Sequence, residues 1–218
     1  MDNRIKYLTI LGMLAAIGFA VSVAIRINII PGAPFLTYDP KDVAILLGGF
    51  MYGPLAAMSL SFVLAILEMP ISGTGLIGAL MNFLSSASFT VTAALVYSRH
   101  RNIIGAITGL TLGIIAVAVT MIGFNYIMMP IFTPAISREM VVGMILPVLL
   151  PFNILKPALN AAAALILYKH VTKALKAARL LPLEKSTEET NPQKLTRWVM
   201  PIAALVIIAL IILIIFIN

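Results

Sequence analysis

The sequence predicts an all-α protein that crosses a membrane several times. Three observations carry that reading. Of the 218 residues, 61% are hydrophobic and only 11% are charged, whereas soluble domains carry roughly 25% charged residues. Mean hydropathy is +1.07. Apolar runs near the roughly 20 residues that a spanning helix needs recur along the chain, where a β-barrel would show short alternating segments.

The first run covers residues 7–25. It follows Arg4 and Lys6 and ends near Ser22-Val23-Ala24, which gives it some features of a cleaved signal peptide. It is longer than the usual apolar region of such a peptide and more spans follow it, so it reads as a retained first span. A loop with Pro31, Gly32, Pro34 and Pro40 comes next; proline stiffens the connection and stops helices. It also holds Thr37-Tyr38-Asp39-Pro40-Lys41-Asp42, a polar cluster between two apolar stretches.

Residues 43–52 and 55–67 are separated by Gly53-Pro54. A single helix over 42–69 would rise roughly 42 Å, well beyond a hydrocarbon core of about 30 Å. The alternative is a half-length descent at 42–53, a turn, and an ascent at 54–70. A half-length descent is allowed where protein buries its end. Further runs lie at 76–97 and 103–129, then a short one at 140–150 and another at 151–168. A polar linker at 181–197 leads to a last run at 198–218, whose Trp198 suits a membrane interface.

Positive charge chooses between the two topologies. With a cytoplasmic N-terminus and a real break, eleven of the fifteen basic residues lie inside; without the break the number is nine. The broken version follows the positive-inside rule better. It predicts a domain of six segments over 1–180, a cytoplasmic linker over 181–197, and an additional C-terminal transmembrane helix over 198–218. The loop 26–41, Glu68, Asn125 and Asn153 then gather at the outer face of the membrane. Arg26, Lys41, Lys156 and Arg138, with Asp39, Asp42, Glu68 and Glu139, are the charges left on that side.

Asn153 and Lys156, with Asn160 one turn further, share a helix face in PFNILKPALN. A lysine inside an apolar span is costly and marks a candidate functional site. It could instead snorkel to the interface, since it lies near the start of its helix; the neighbouring amide argues for a ligand. An amide and an ammonium together suit the carbonyl and imide edge of a polar heterocycle. Asn125 lies level with Asn153. Asn82, in GALMNFLSS, reads equally as a helix–helix hydrogen bond. Tyr38 and Asp39, between Pro34 and Pro40, read as part of a preformed loop over a pocket.

Ala16, Ala20 and Ala24 lie on one face of the first span, where small residues allow close approach of a helix, either of this chain or of a partner. Lys169, Lys173, Lys176 and Arg179 follow the sixth span at helical spacing and read as a surface resting on anionic lipid. Cysteine is absent, which excludes disulfides, thiolate metal sites and a cysteine nucleophile. The sequence has no G-x-x-x-x-G-K-[ST], H-E-x-x-H or G-x-S-x-G motif and no carboxylate pair within a run, so no catalytic or metal site is predicted. The net charge of +7 follows membrane topology and is not a nucleic-acid signal.

FLTYDPKDVAILLGGFMYGPLAA, TGLIGALMNFLSS and LPFNILKPALN together resemble the substrate-binding S component of energy-coupling-factor (ECF) vitamin transporters, the riboflavin-specific branch above all. The similarity covers about residues 5–180. It implies six membrane segments, a loop folded over a pocket, and riboflavin as transported ligand with no cofactor. Leu36, Tyr38, Asp39, Asn125, Asn153 and Lys156 would contact that ligand, with Asn82 beside them. The implied partners are a membrane coupling protein, docked on Ala16, Ala20 and Ala24, and two ATP-binding-cassette ATPases. Where related proteins often carry an acidic residue, this chain has Ala79, so its contacts to the ribityl hydroxyls are not implied. The seventh run also departs from the family pattern. Another vitamin, such as thiamine or pantothenate, an intramembrane enzyme acting on lipid or isoprenoid substrates, and a structural membrane protein are the alternatives.

Overall fold

A computed structural model describes residues 3–30, 33 and 36–177. The linker 181–197, the run 198–218, the side chains of Lys169, Lys173 and Lys176, and Arg179, Pro34 and Phe35 lie outside the described residues. Helix α1 spans Asn3–Ala24. Two-residue strands β1 (Ile27–Asn28) and β2 (Thr37–Tyr38) follow, then α2 (Lys41–Tyr52), α3 (Pro54–Ser72), α4 (Gly75–Arg99) and α5 (Ile103–Phe132). Helix α6 (Arg138–Met144) runs through a π-helical turn at Ile145–Leu149 into α7 (Leu150–Ala177). Five of these stretches are long and apolar enough to cross a membrane: Arg4–Ala24, α3, α4, α5 and the continuous run Arg138–Tyr168. The protein is therefore an all-α, multi-pass membrane protein.

The break expected at Gly53-Pro54 is present. Gly53 has φ 94° and ψ −179°, a region essentially confined to glycine. It closes α2 by donating its N–H to Gly49 O at 2.8 Å. Pro54 then opens α3, where its missing N–H would have had no partner anyway. At 12 residues, α2 rises roughly 18 Å, about half of the hydrocarbon thickness. Every residue from Lys41 to Phe50 is buried, and α2 packs against α1, α3, α4 and α7. The half-length element is thus the hub of the bundle, and its apolar residues Ile45, Leu46 and Phe50 sit at the centre of the core.

Two runs expected to be separate, 140–150 and 151–168, form one continuous helix. Pro147 lacks the N–H that an α-turn needs, and the backbone widens into a π-turn there instead of breaking. Helix α3 also continues through Pro70 to Ser72 before Gly73 ends it with φ 68°. Helices α4 and α5 pack most extensively. A Cβ on Gly109 or Gly113 would come within 2.6 Å of Ala93 O or Phe89 O, so these two backbones touch, as small residues permit in lipid. Ala16, Ala20 and Ala24 all face outward, uncovered by the described part of this chain.

Candidate ligand-binding site

The segment between α1 and α2 folds back over one end of the bundle. Its two short strands pair antiparallel, Ile27 opposite Tyr38 and Asn28 opposite Thr37. Ile30, Ala33 and Leu36 bury themselves against Val141, Leu149 and Phe152 of the α6–α7 run. The segment is therefore fastened to the helices by an apolar patch. Beneath it lies a cavity of about 470 Å³, lined by this segment and by α3, α4, α5 and α7. That volume falls within the range of about 300–1,000 Å³ usual for small-molecule sites.

Six of the seven residues singled out in the sequence line this one cavity: Leu36, Asp39, Asn82, Asn125, Asn153 and Lys156. Tyr38 does not. On an extended segment it alternates with Thr37 and Asp39, which do line the cavity. Tyr38 is half-buried, and burial, reinforced by the charge of Asp39, raises its hydroxyl pKa.

Lys156 does not snorkel. It is 8% exposed and its Nζ donates to Asp39 Oδ2 at 2.7 Å. Asp39 in turn lies 3.3 Å from Lys41 Nζ through its other oxygen. Burial alone would raise the Asp39 pKa, but the charges of Lys156 and Lys41 outweigh it and bring the carboxyl down to about 2. Asp39 therefore stays ionised and ties the loop to α7 and α2 together.

The network extends further. Lys41 Nζ donates to Glu68 Oε2 at 2.6 Å and to Asn82 Oδ1 at 2.7 Å, and Asn82 Nδ2 donates to the same Glu68 oxygen at 2.6 Å. Asp42 receives Ser86 Oγ at 2.5 Å and Asn160 Nδ2 at 3.2 Å. Asp39 Oδ1, Glu68 Oε1 and Asn160 Oδ1 are buried without a hydrogen-bond partner.

The sequence counts Lys41, Asp42 and Glu68 among the charges of one membrane side and gives no sign of their burial; all three are buried, at 1–3% exposure. Arg26, Arg138 and Glu139 do stay exposed. Glu68 directly follows the apolar run 55–67, so its context in the sequence reads as a run end. What the sequence lacked was its partner Lys41, 27 residues away and buried only because α2 turns inward at its first residue.

Asn125 on α5 and Asn153 on α7 are both buried and both line the cavity. Each donates its amide N–H to the carbonyl one turn back, at 2.7 Å to Met121 O and 2.8 Å to Leu149 O. These bonds fix the rotamers and leave each side-chain carbonyl for a ligand. Met121, Met128, Met129 and Phe152 supply apolar wall beside them, and methionine adapts well to flat or irregular ligands. Asn160 shares the face of Asn153 and Lys156, but it is fully buried and turns to Asp39 O and Asp42. Ala79 lines the cavity with a methyl group alone.

Residues 6–168 match the family model for the substrate-specific component of ECF transporters. The chain belongs to that family. Among the relatives of this ECF component is riboflavin transporter RibU of Staphylococcus aureus (strain TCH60), 32% identical over an alignment of 177 residues, with 78% of this chain and 93% of the relative covered. Riboflavin transporter FmnP of Bacillus subtilis (strain 168) is 29% identical over 164 residues, 70% of this chain and 85% of the relative. A solved structure of the S component of a bacterial ECF transporter superposes with a TM-score of 0.66 at 31% identity. It covers 79% of this chain and 99% of that one.

Proposed function

We propose that this ECF substrate-specific component captures riboflavin from outside the cell and releases it inward when partner subunits hydrolyse ATP. The observation that carries this reading is the cavity itself. An ammonium and two oriented amides, Lys156, Asn153 and Asn125, converge on an apolar, methionine-lined space beneath a tethered loop. Such a set matches a flat heterocycle with a carbonyl and imide edge, and the relatives named above are riboflavin transporters.

In this reading the cavity end faces outward and the N-terminus lies in the cytoplasm of a bacterial cell, as the positive-inside distribution supports. The chain performs no chemistry of its own. A membrane coupling protein docks on the outward face of Ala16, Ala20 and Ala24, and two ATP-binding-cassette ATPases drive transport. Leu36, Asp39 and Asn82 complete the ligand shell with Tyr38 near its edge.

The test is spectroscopic. Protein purified in detergent should carry a flavin absorption band or quench the fluorescence of added riboflavin at stoichiometric ratio. Lys156→Ala and Asn153→Ala should each weaken binding about tenfold or more, because polar groups of the ring are left unpaired in a buried site. A colourless protein that ignores riboflavin refutes the proposal. Wild-type affinity in both variants refutes the placement of the ring.

A further inference from the structure

The buried charges do not balance. Among the described residues the network holds two ammonium groups, Lys41 and Lys156, against three carboxylates, Asp39, Asp42 and Glu68. A surplus of acceptors in a site shielded from water calls for hydrogen-bond donors. Asp39 has both lysines, and Asp42 has Ser86 and Asn160. Asp39 Oδ1 also lacks a hydrogen bond but has the Lys41 ammonium 3.3 Å away, whereas Glu68 Oε1 has no hydrogen-bond partner although the side chain is 3% exposed and lines the cavity.

The other Glu68 oxygen is held twice, by Lys41 and Asn82, at 2.6 Å each. The carboxylate therefore cannot turn away to satisfy Oε1 without breaking two charge-assisted bonds. On the α3–α4 side the cavity wall includes Ser72, Thr74, Ala79 and Ser85, together with Arg26, whose guanidinium donates to Ile71 O at 3.3 Å. This corner, on α3 and α4, is distinct from the amide–ammonium corner on α5 and α7. It offers a carboxylate acceptor, where the other offers the Lys156 ammonium, two amides and an apolar wall.

We infer that Glu68 is the hydroxyl-accepting, specificity-determining residue of the site. It binds the polyol tail of the ligand through Oε1 while Lys41 and Asn82 hold it in position. The inference rests on the riboflavin reading and adds an orientation to it: ring toward Asn153 and Lys156, tail toward α3 and α4. A ligand hydroxyl completes Glu68 and adds no charge to a network that already carries one too many.

The experiment compares riboflavin with lumiflavin, which has the same ring and a methyl group in place of the tail, on wild type and Glu68→Gln. The variant leaves two cations facing two carboxylates, so no lysine is stranded. Wild type should prefer riboflavin by about tenfold or more, the worth of a hydrogen bond to a charged acceptor. Glu68→Gln should lose most of that preference by weakening riboflavin binding while lumiflavin affinity stays within about twofold. Unchanged riboflavin affinity, or an equal loss for both ligands, overturns the assignment. If the variant does not fold, wild type still decides. Riboflavin is compared with a flavin bearing a hydroxyl-free pentyl chain, and equal affinity overturns the inference. A wild type that binds neither riboflavin nor lumiflavin brings down the riboflavin reading itself, a result separate from all of these.

Discussion

The tether between the loop and α7 can be measured directly. Lys156→Met keeps the length of the side chain and removes its charge. Asp39→Asn keeps the shape and removes the opposite charge. Removing one partner of a buried ion pair usually costs roughly 3–5 kcal/mol. Asp39 retains Lys41 at 3.3 Å when Lys156 is lost, so Lys156→Met should fall at the lower end, about 3 kcal/mol. Asp39→Asn also leaves cations balanced by Asp42 and Glu68, and its cost should be similar. The double variant removes the pair without stranding either charge. Its destabilisation should therefore be smaller than the sum of the two singles, with a coupling energy of about 2 kcal/mol, within the range for residues in contact. Reversible unfolding in mixed detergent micelles, followed by circular dichroism, gives all four corners of the cycle. A coupling below about 0.5 kcal/mol, the value of a solvated surface pair, would refute the buried tether and with it the reading of the loop as a fixed cover.

Three more outcomes follow from the geometry. The Asp39 carboxyl is depressed to about 2 from an unfolded value of about 3.9. A depressed pKa contributes stability above the unfolded value and loses it as pH falls through the folded one. Apparent melting temperature should thus be insensitive to this group between about pH 5 and 8 and fall between about pH 4 and 2; Asp39→Asn should flatten that acid limb. Gly53→Ala should destabilise by about 1–3 kcal/mol, because the backbone at φ 94° is closed to a residue with a Cβ; the same unfolding assay reads it, and a neutral result would mean the turn can rearrange. Ala20→Leu on the exposed face of α1 should leave riboflavin binding within about twofold of wild type, since the residue lies outside the cavity. It should nonetheless abolish uptake by cells that supply the partner subunits, and normal uptake would remove that face from the docking surface.

How far the sequence could be read depends on the kind of residue. Lys156 and Asn153 stood out because an ammonium and an amide inside an apolar run have few innocent explanations. Gly53-Pro54 stood out because one unbroken helix would have been too long for a bilayer. The burial of Lys41, Asp42 and Glu68 was not legible for a common reason: each lies at the end of an apolar run, where water is the default neighbour. Their burial is decided by the descent of α2 into the middle of the bundle and by the loop above it, both tertiary facts. The partners of Lys41 and Lys156 lie 27 and 117 residues away along the chain, beyond any local pattern. The continuity of the helix from 140–150 into 151–168 was hidden differently, because Pro151 reads as a stop while the helix runs on through the π-turn before it.

The shortness of α2 also bears on how the protein is made. A stretch of 12 residues cannot be handed to the bilayer as a span of its own, since roughly 20 are required, and Lys41 and Asp42 at its head are each unfavourable guests in hydrocarbon. Its seat has to exist before it arrives. Helices α1 and α3 are each long and apolar enough to span alone, whereas α2 depends on the Gly53 turn and on Glu68, Asn82 and Ser86 to receive its charges. The centre of the finished molecule is then among the last parts to be put in place. A newly inserted chain that has not yet completed this step has no cover over the cavity and no cavity to cover.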